Sequence, residues 1–256
     1  MRRIAYVLAN WKMYPGPDEA TALFARIQDH LRDASRRPLA LPIVIVCPPA
    51  IALMPIRAMV DRRLVRLGAQ NCHWEASGPY TGEISAAMLA GLVDYVLIGH
   101  SERRRAGETD EQIARKVAAV AANAMTPVLF VGEDEPTAAA TEETEDRLER
   151  GLARVDVARR PVLVVYEPTW AIGVDAPAAA DHVGAVAARL KERLREKGAQ
   201  RPEVIYGGSV MADNVGQFTA IDVLDGVGAT RATLDVRQFA TIVEHVARAD
   251  MRRRGG

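Results

Sequence analysis

The sequence predicts a (β/α)8 barrel, and three observations carry that reading. Eight short apolar runs of β type recur along 256 residues, helical patterns separate them, and no glycine-rich dinucleotide fingerprint follows the first run. Strand–helix alternation with right-handed crossovers closes most naturally as a barrel; an open doubly wound sheet gives a similar strand count, and the missing fingerprint counts against it. The chain is 49% apolar, enough to bury one large core, so a single barrel is expected over residues 1–250.

Taken in order, the first run is IAYVLA (4–9), followed by Asn10 and Lys12. PIVIVC (42–47) and RLGAQN (66–71) are the second and third, and DYVLIG (94–99) runs straight into His100, Ser101 and Glu102. PVLFVG (127–132) is fifth; after it TAAATEETEDRLER (137–150) reads as a helix start with its acidic residues at the end that the helix dipole favours. Leu148, Leu152 and Val155 supply that helix's apolar face. The sixth run, PVLVVY (161–166), has five consecutive apolar residues, the mark of a strand covered on both faces. It ends in Glu167 and enters a loop bracketed by proline and glycine. Val183, Val186, Leu190 and Leu194 recur at helical spacing beyond that loop. EVIYGG (203–208), followed by Ser209, and DVLDGVG (222–228) complete the eight, and MRRRGG (251–256) reads as a basic, solvated tail.

Composition removes several function classes. With 33 basic and 33 acidic residues interspersed and a formal charge of zero, no surface suited to nucleic acid or an anionic membrane is expected, and the partner is a small molecule. Cys47 and Cys72 stand alone, without ligand spacing, so they read as plain buried thiols in a reducing cytoplasm and not as a disulfide framework or metal site. The apolar run at 4–9 is shorter than a signal-peptide core of roughly 7–15 residues, and no other run approaches a membrane span.

In a parallel barrel the functional groups sit just past the strands' C-terminal ends, which is where this chain carries its unusual polar residues. Asn10, Lys12, His100, Ser101, Glu102, Glu167 and Ser209 combine a carboxylate, a histidine, a fixed cation and backbone donors. That set suits removal of a proton next to a carbonyl and stabilisation of the enediolate. The donors of SERR suit a neutral imidazole at His100. The apolar strand before Glu167 and Trp170 beside it predict desolvation and a raised carboxyl pKa. A tryptophan and a methionine flank Lys12, which suggests a half-buried ammonium; Glu102 is either a proton relay or an ion-pair partner of Lys12 or of an arginine in SERRR. The connection NCHWEASGPYTG (71–82) is too apolar for a solvated loop and suits an oligomer contact.

The motifs NWKM (10–13), GAQN with TGEIS (68–71 and 81–85), IGHSERR (98–104), YEPTWAIG (166–173) and YGGSV (206–210) together resemble the triosephosphate isomerase family, in order and over most of the chain. That resemblance implies interconversion of D-glyceraldehyde 3-phosphate and dihydroxyacetone phosphate, a step of glycolysis and gluconeogenesis, with no metal or organic cofactor. Glu167 would carry the proton between carbons, neutral His100 would polarise the carbonyl, and Lys12 and Asn10 would offset and orient negative charge. The loop 168–178 would be a lid; Gly173, Ser209 and the segment after strand eight, with Thr230 and Arg231, would hold the phosphate. Thr81 would support a neighbouring subunit through the 71–82 loop, making a homodimer.

The chain departs from the family pattern in four places. Thr230 and Arg231 stand where a glycine pair or Gly-Arg is usual, so the loop has either shifted or changed its handling of phosphate. The lid carries Asp175, Ala176 and Pro177, and Phe130 replaces a small cysteine behind the base. His73-Trp74 looks like the branch acting on four-carbon ketose phosphates, which keeps open a tetrulose-phosphate isomerase converting L-erythrulose 1-phosphate to D-erythrulose 4-phosphate. A non-catalytic sugar-phosphate sensor is a third reading, against which the intact Asn10, Lys12, His100 and Glu167 set argues.

Overall fold

The computed structural model describes residues 4–173 and 177–255. Eight parallel strands close in sequence order: β1 (Tyr6–Asn10), β2 (Ile43–Cys47), β3 (Arg66–Ala69), β4 (Tyr95–Ile98), β5 (Thr126–Val131), β6 (Leu163–Tyr166), β7 (Glu203–Tyr206) and β8 (Gly226–Ala229), with β8 pairing back onto β1. The (β/α)8 barrel expected from the strand–helix alternation is therefore the fold. Between the strands lie α1 (Pro17–Ala34), α2 (Leu53–Met59), α3 (Ala86–Leu89), α4 (Ser101–Arg105), α5 (Asp110–Ala122), α6 (Ala140–Gly151), α7 (Ala180–Glu196) and α8 (Val215–Thr219), and α9 (Val236–Gly255) ends the described chain.

The unbroken apolar runs have a simple cause: both faces of each strand are buried. Tyr6, Leu8, Ile45, Cys47, Leu97, Val128, Phe130, Leu163, Val165 and Ile205 fill the lumen. Their alternating neighbours, such as Val7, Val44, Val46, Ile98, Leu129 and Val164, pack outward under the helices. Val183, Val186, Leu190 and Leu194 are all buried on one side of α7, as their spacing predicts. Leu148 is buried on α6, but that helix stops at Gly151, so Leu152 is its cap and Val155 lies beyond it. Cys47 and Cys72 are buried free thiols, and burial pushes both pKa values up, Cys72 to about 12.

Two boundaries differ from expectation. The eighth strand starts at Gly226, not at residue 222. Gly226 has φ +153, and a Cβ there would overlap the Tyr6 backbone, so the ladder is admitted only at this glycine. Asp225 just before it accepts the Val204 N–H at 2.9 Å and pairs with Lys191 at 2.7 Å. Of the segment read as a solvated tail, residues 251–255 continue α9, and Arg253 reaches Asp222 at 3.0 Å and the Thr219 and Ile221 carbonyls at 2.7 and 2.8 Å, while Met251, Arg252 and Arg254 are exposed. A guanidinium over carbonyls at the end of α8 is favourable, which holds Arg253 against that end. Among the described residues, no helix is long and apolar enough to cross a membrane.

Candidate active site

Four βα junctions deliver the site residues to one mouth of the barrel. Asn10 is the last residue of β1, and its Oδ1 accepts the Lys12 N–H at 3.1 Å. Lys12 takes φ +47, one of two positive-φ non-glycine residues among those described, a conformation that costs energy and persists only when its surroundings enforce it. The enforcing group is Gln70, just past β3, whose Nε2 donates to the Lys12 carbonyl at 2.9 Å and to the Cys47 carbonyl at 3.0 Å. Lys12 Nζ then meets Glu102 Oε1 at 2.6 Å. Of the two roles open for Glu102, the structure shows the ion pair with Lys12. Burial works to raise the Glu102 pKa, but the bond and charge of Lys12 outweigh it and the net shift is downward.

Gly99, at φ +73, turns the chain after β4 so that His100 caps α4. Its Nδ1 accepts the Glu102 backbone N–H at 3.2 Å, so the neutral ring carries its proton on Nε2. Burial, reinforced by the Lys12 charge, pushes the imidazole pKa down to about 4. The neutral imidazole expected from the SERR donors is thus the form that the surroundings favour.

Glu167 is the first residue past β6 and is 4% exposed. Its backbone N–H donates to the Val131 carbonyl at 2.7 Å, and a Cβ on Gly132 would overlap the Glu167 carbonyl, so this approach of strand ends requires glycine at 132. Glu167 Oε1 lies 3.1 Å from His100 Nε2, and Oε2 accepts the Ser101 N–H at 2.9 Å. Burial raises its pKa to about 7 against the opposing Ser101 hydrogen bond and Lys12 charge.

The raised pKa is as the strand's apolarity predicts, but Trp170 contributes differently. Its Nε1 donates at 2.9 Å to Glu133, a fully buried carboxylate that also takes hydrogen bonds from Tyr166 at 2.8 Å and Thr144 at 2.9 Å and meets His182 Nε2 at 3.0 Å. Gln70 and Glu133 are the two site-supporting residues missed in the sequence. The only available signal was their position, a polar side chain at the end of an apolar run.

Asn10, Lys12, His100, Glu102, Glu167, Gly173, Ser209, Thr230 and Arg231 all line one cavity of ≈ 360 Å³. Thr230 sits at φ −118, so the side chain that replaces glycine there needs no glycine-only backbone. Ser209 Oγ donates to the Ala171 carbonyl at 3.0 Å, and the Ala178 N–H donates to Tyr206 Oη at 3.3 Å, which ties both described arms of the 168–178 segment to the β7 end. The Asp175 and Ala176 substitutions lie outside the described residues.

Thr81 is exposed and stands apart from this cavity. His73 stacks on Trp74 at 4.1 Å, and the Arg115 guanidinium covers Trp74 at 4.7 Å, so the aromatic pair builds the 71–82 loop and does not line the pocket.

A parallel barrel whose mouth holds a desolvated carboxylate against a neutral imidazole and a fixed cation belongs to the isomerases that move a proton beside a carbonyl. Comparison with known proteins agrees. The triosephosphate isomerase sequence pattern matches residues 5–246. The triosephosphate isomerase of Synechocystis sp. is 39% identical over 248 residues, 95% of this chain and 98% of that protein. Those of Carboxydothermus hydrogenoformans, 38% identical over 94% of this chain and 98% of the relative, and of Lactobacillus delbrueckii subsp. bulgaricus, 34% identical over 96% and 99%, match as fully. The chain belongs to the triosephosphate isomerase family.

Proposed function

We propose that this chain interconverts D-glyceraldehyde 3-phosphate and dihydroxyacetone phosphate through an enediolate. The observation that carries the reading is the 3.1 Å contact between Glu167 and His100, a base with a pKa of about 7 facing a neutral donor. Glu167 takes a proton from one carbon and returns it to its neighbour. His100 offers its Nε2–H to the substrate oxygens. Being neutral, it is a weaker acid than imidazolium and is better matched to an enediolate oxygen. Lys12 supplies positive charge where the enediolate develops negative charge, with Asn10 holding the Lys12 backbone.

Both Glu167 oxygens are occupied before substrate arrives, one on Ser101 and one on His100. A substrate carbonyl that takes the Nε2–H of His100 displaces Oε1, so binding itself frees the base. Gly173 from the segment after β6 and Ser209, Thr230 and Arg231 from the ends of β7 and β8 line the cavity, which supports their holding the phosphate; the 168–178 lid then keeps water from the enediolate.

The protein works as a homodimer in the cytoplasm. Six of the seven large apolar side chains exposed among the described residues, Met13, Tyr14, Ile51, Met54, Tyr80 and Met88, fall on the first three βα connections, one side of the barrel. Thr81 lies in the same region and supports the neighbouring subunit. The two buried free thiols fit a reducing compartment.

The test is steady-state isomerisation of glyceraldehyde 3-phosphate by the purified chain, with Glu167→Gln as the control. The variant should lose about 10²–10⁴-fold in kcat, the usual worth of a general base, while still binding a phosphate-bearing inhibitor. Full activity in the variant removes Glu167 from the role of base; phosphate binding without turnover in the parent chain makes the protein a sensor.

A further inference from the structure

The lumen just beneath the candidate site is lopsided in bulk. Just past β7 and on β8 the cavity is lined by Gly207 and Gly228. A Cβ on Gly207 would overlap Val165, and one on Gly228 would meet Leu8 at 3.5 Å, which places both glycines over the lumen cluster. On β5 the corresponding residue is Phe130, 4% exposed, packed in that same cluster and lining the cavity. Its ring centroid lies 4.9 Å from that of His100, with the planes at 55°. Beside Ser209 and Thr230 the cavity thus meets glycine backbone backed by Val165 and Leu8, whereas beneath His100 it meets a phenyl ring.

A chain anchored by its phosphate beside Ser209 and Thr230, with its reacting carbons between Glu167 and His100, has its far end directed at the phenyl ring. We infer that Phe130 sets the length of carbon chain the site accepts, by occupying the space that a fourth carbon of a ketose phosphate would need. This rests on the isomerase reading above and deepens it: the ring decides between three and four carbons, whereas His73 and Trp74, outside the cavity, do not.

The experiment is kcat/KM for glyceraldehyde 3-phosphate and for L-erythrulose 1-phosphate, measured on the parent chain, Phe130→Ala and Phe130→Leu. One methylene in an apolar pocket is worth about 10–200-fold in discrimination. The tetrulose-to-triose ratio should thus rise at least about tenfold in Phe130→Ala, with the larger share in KM for the tetrulose, and by less in Phe130→Leu. If Phe130→Ala fails to fold, Phe130→Leu, which keeps most of the lumen volume, reads the same ratio. A ratio unchanged within about twofold, with equal losses on both substrates, reduces Phe130 to a packing neighbour of His100 and overturns the inference while leaving the isomerase intact. Absence of turnover by the parent chain on either substrate overturns both.

Discussion

Glu167 Oε1 and His100 Nε2 stand 3.1 Å apart, and burial drives the pair toward opposite anomalies: the carboxyl is raised to about 7 and the imidazole lowered to about 4. Desolvation disfavours whichever form is charged, so one cause moves an acid up and a base down. The result at neutral pH is a carboxyl close to its midpoint and an imidazole without charge. In water the carboxyl would be fully ionised and the imidazole partly protonated at that pH; burial shifts both toward the form that their chemical steps need.

The pH dependence of kcat/KM follows. Activity in the free enzyme requires ionised Glu167, so the acid limb should have its midpoint near 7, and His100 should add no second limb until about pH 4. The pH–rate profile measured with Glu167→Asp in parallel checks this. A limb near 6 that the substitution does not move belongs to the substrate phosphate instead.

Gln70 is expected to matter more than its distance from the chemistry suggests. Its two hydrogen bonds hold the Lys12 backbone at φ +47. Gln70→Ala takes a donor from the Lys12 carbonyl, while the Cys47 carbonyl keeps the Trp11 N–H, and lets that strained residue relax, costing about 1–3 kcal/mol of stability, or roughly 2–4 °C in Tm per kcal/mol for a chain of this size. Relaxation also swings the Lys12 ammonium away from the cavity, so KM should rise several-fold and the acid limb should move to higher pH, because the Lys12 charge holds the Glu167 pKa down. A loss of Tm with unchanged KM would confine Gln70 to packing.

Asn10, Lys12, His100, Glu167 and Ser209 were legible because each ends a strand or lies within three residues of its end. A continuous apolar run such as 161–166 announces a strand buried on both faces, and the polar residue that ends it, Glu167, is placed at the mouth by topology alone. Gln70 and Glu133 obey the same positional rule, yet their partners come from different βα units, and no sequence spacing links Glu133 to His182 or Gln70 to Lys12. Gly226 hid the start of β8 for a related reason: its need for φ +153 arises from the backbone of β1, more than 200 residues away. Arg253 read as tail because its carbonyl partners belong to another helix.

Glu133 should report on acid stability with the sign of an ordinary buried carboxylate. Its burial works to raise the pKa, but hydrogen bonds from His182, Trp170 and Tyr166 prevail and hold it below the usual value. A lowered folded pKa contributes stability that is present above the unfolded value of about 4.3 and lost as pH falls through the folded one. Glu133→Gln should therefore cost about 2–3 kcal/mol at pH 7 by denaturant unfolding, and the gap from the parent chain should narrow below pH 4. Glu167 runs the other way, since its raised pKa makes the folded state less favourable as pH climbs from about 4.3 to 7. A gap for Glu133→Gln that is constant with pH would mean the carboxylate's charge is irrelevant to the cluster.

Dimerisation gives the last prediction, and its physical basis is the distribution of exposed apolar surface. Met13 is 96% exposed and Tyr14 60%, directly after Lys12, and Tyr80 adjoins Thr81 on the 71–82 loop. Surface of that kind gathered on one side favours self-association over solvation. That loop is held rigid by the His73 stack on Trp74 and by Arg115 above it, so it meets a partner without first paying an ordering cost. Because Met13 and Tyr14 continue from Lys12, a subunit seated there also restrains the strained Lys12 backbone. Tyr80→Asp with Met13→Asp should shift the sedimentation mass from twice that of the chain to that of one chain and lower kcat/KM by tenfold or more. A monomeric variant with full activity would show that the contacts within one subunit, from Gln70, Asn10 and Glu102, suffice to hold Lys12; a parent chain that sediments as a monomer would remove the dimer altogether.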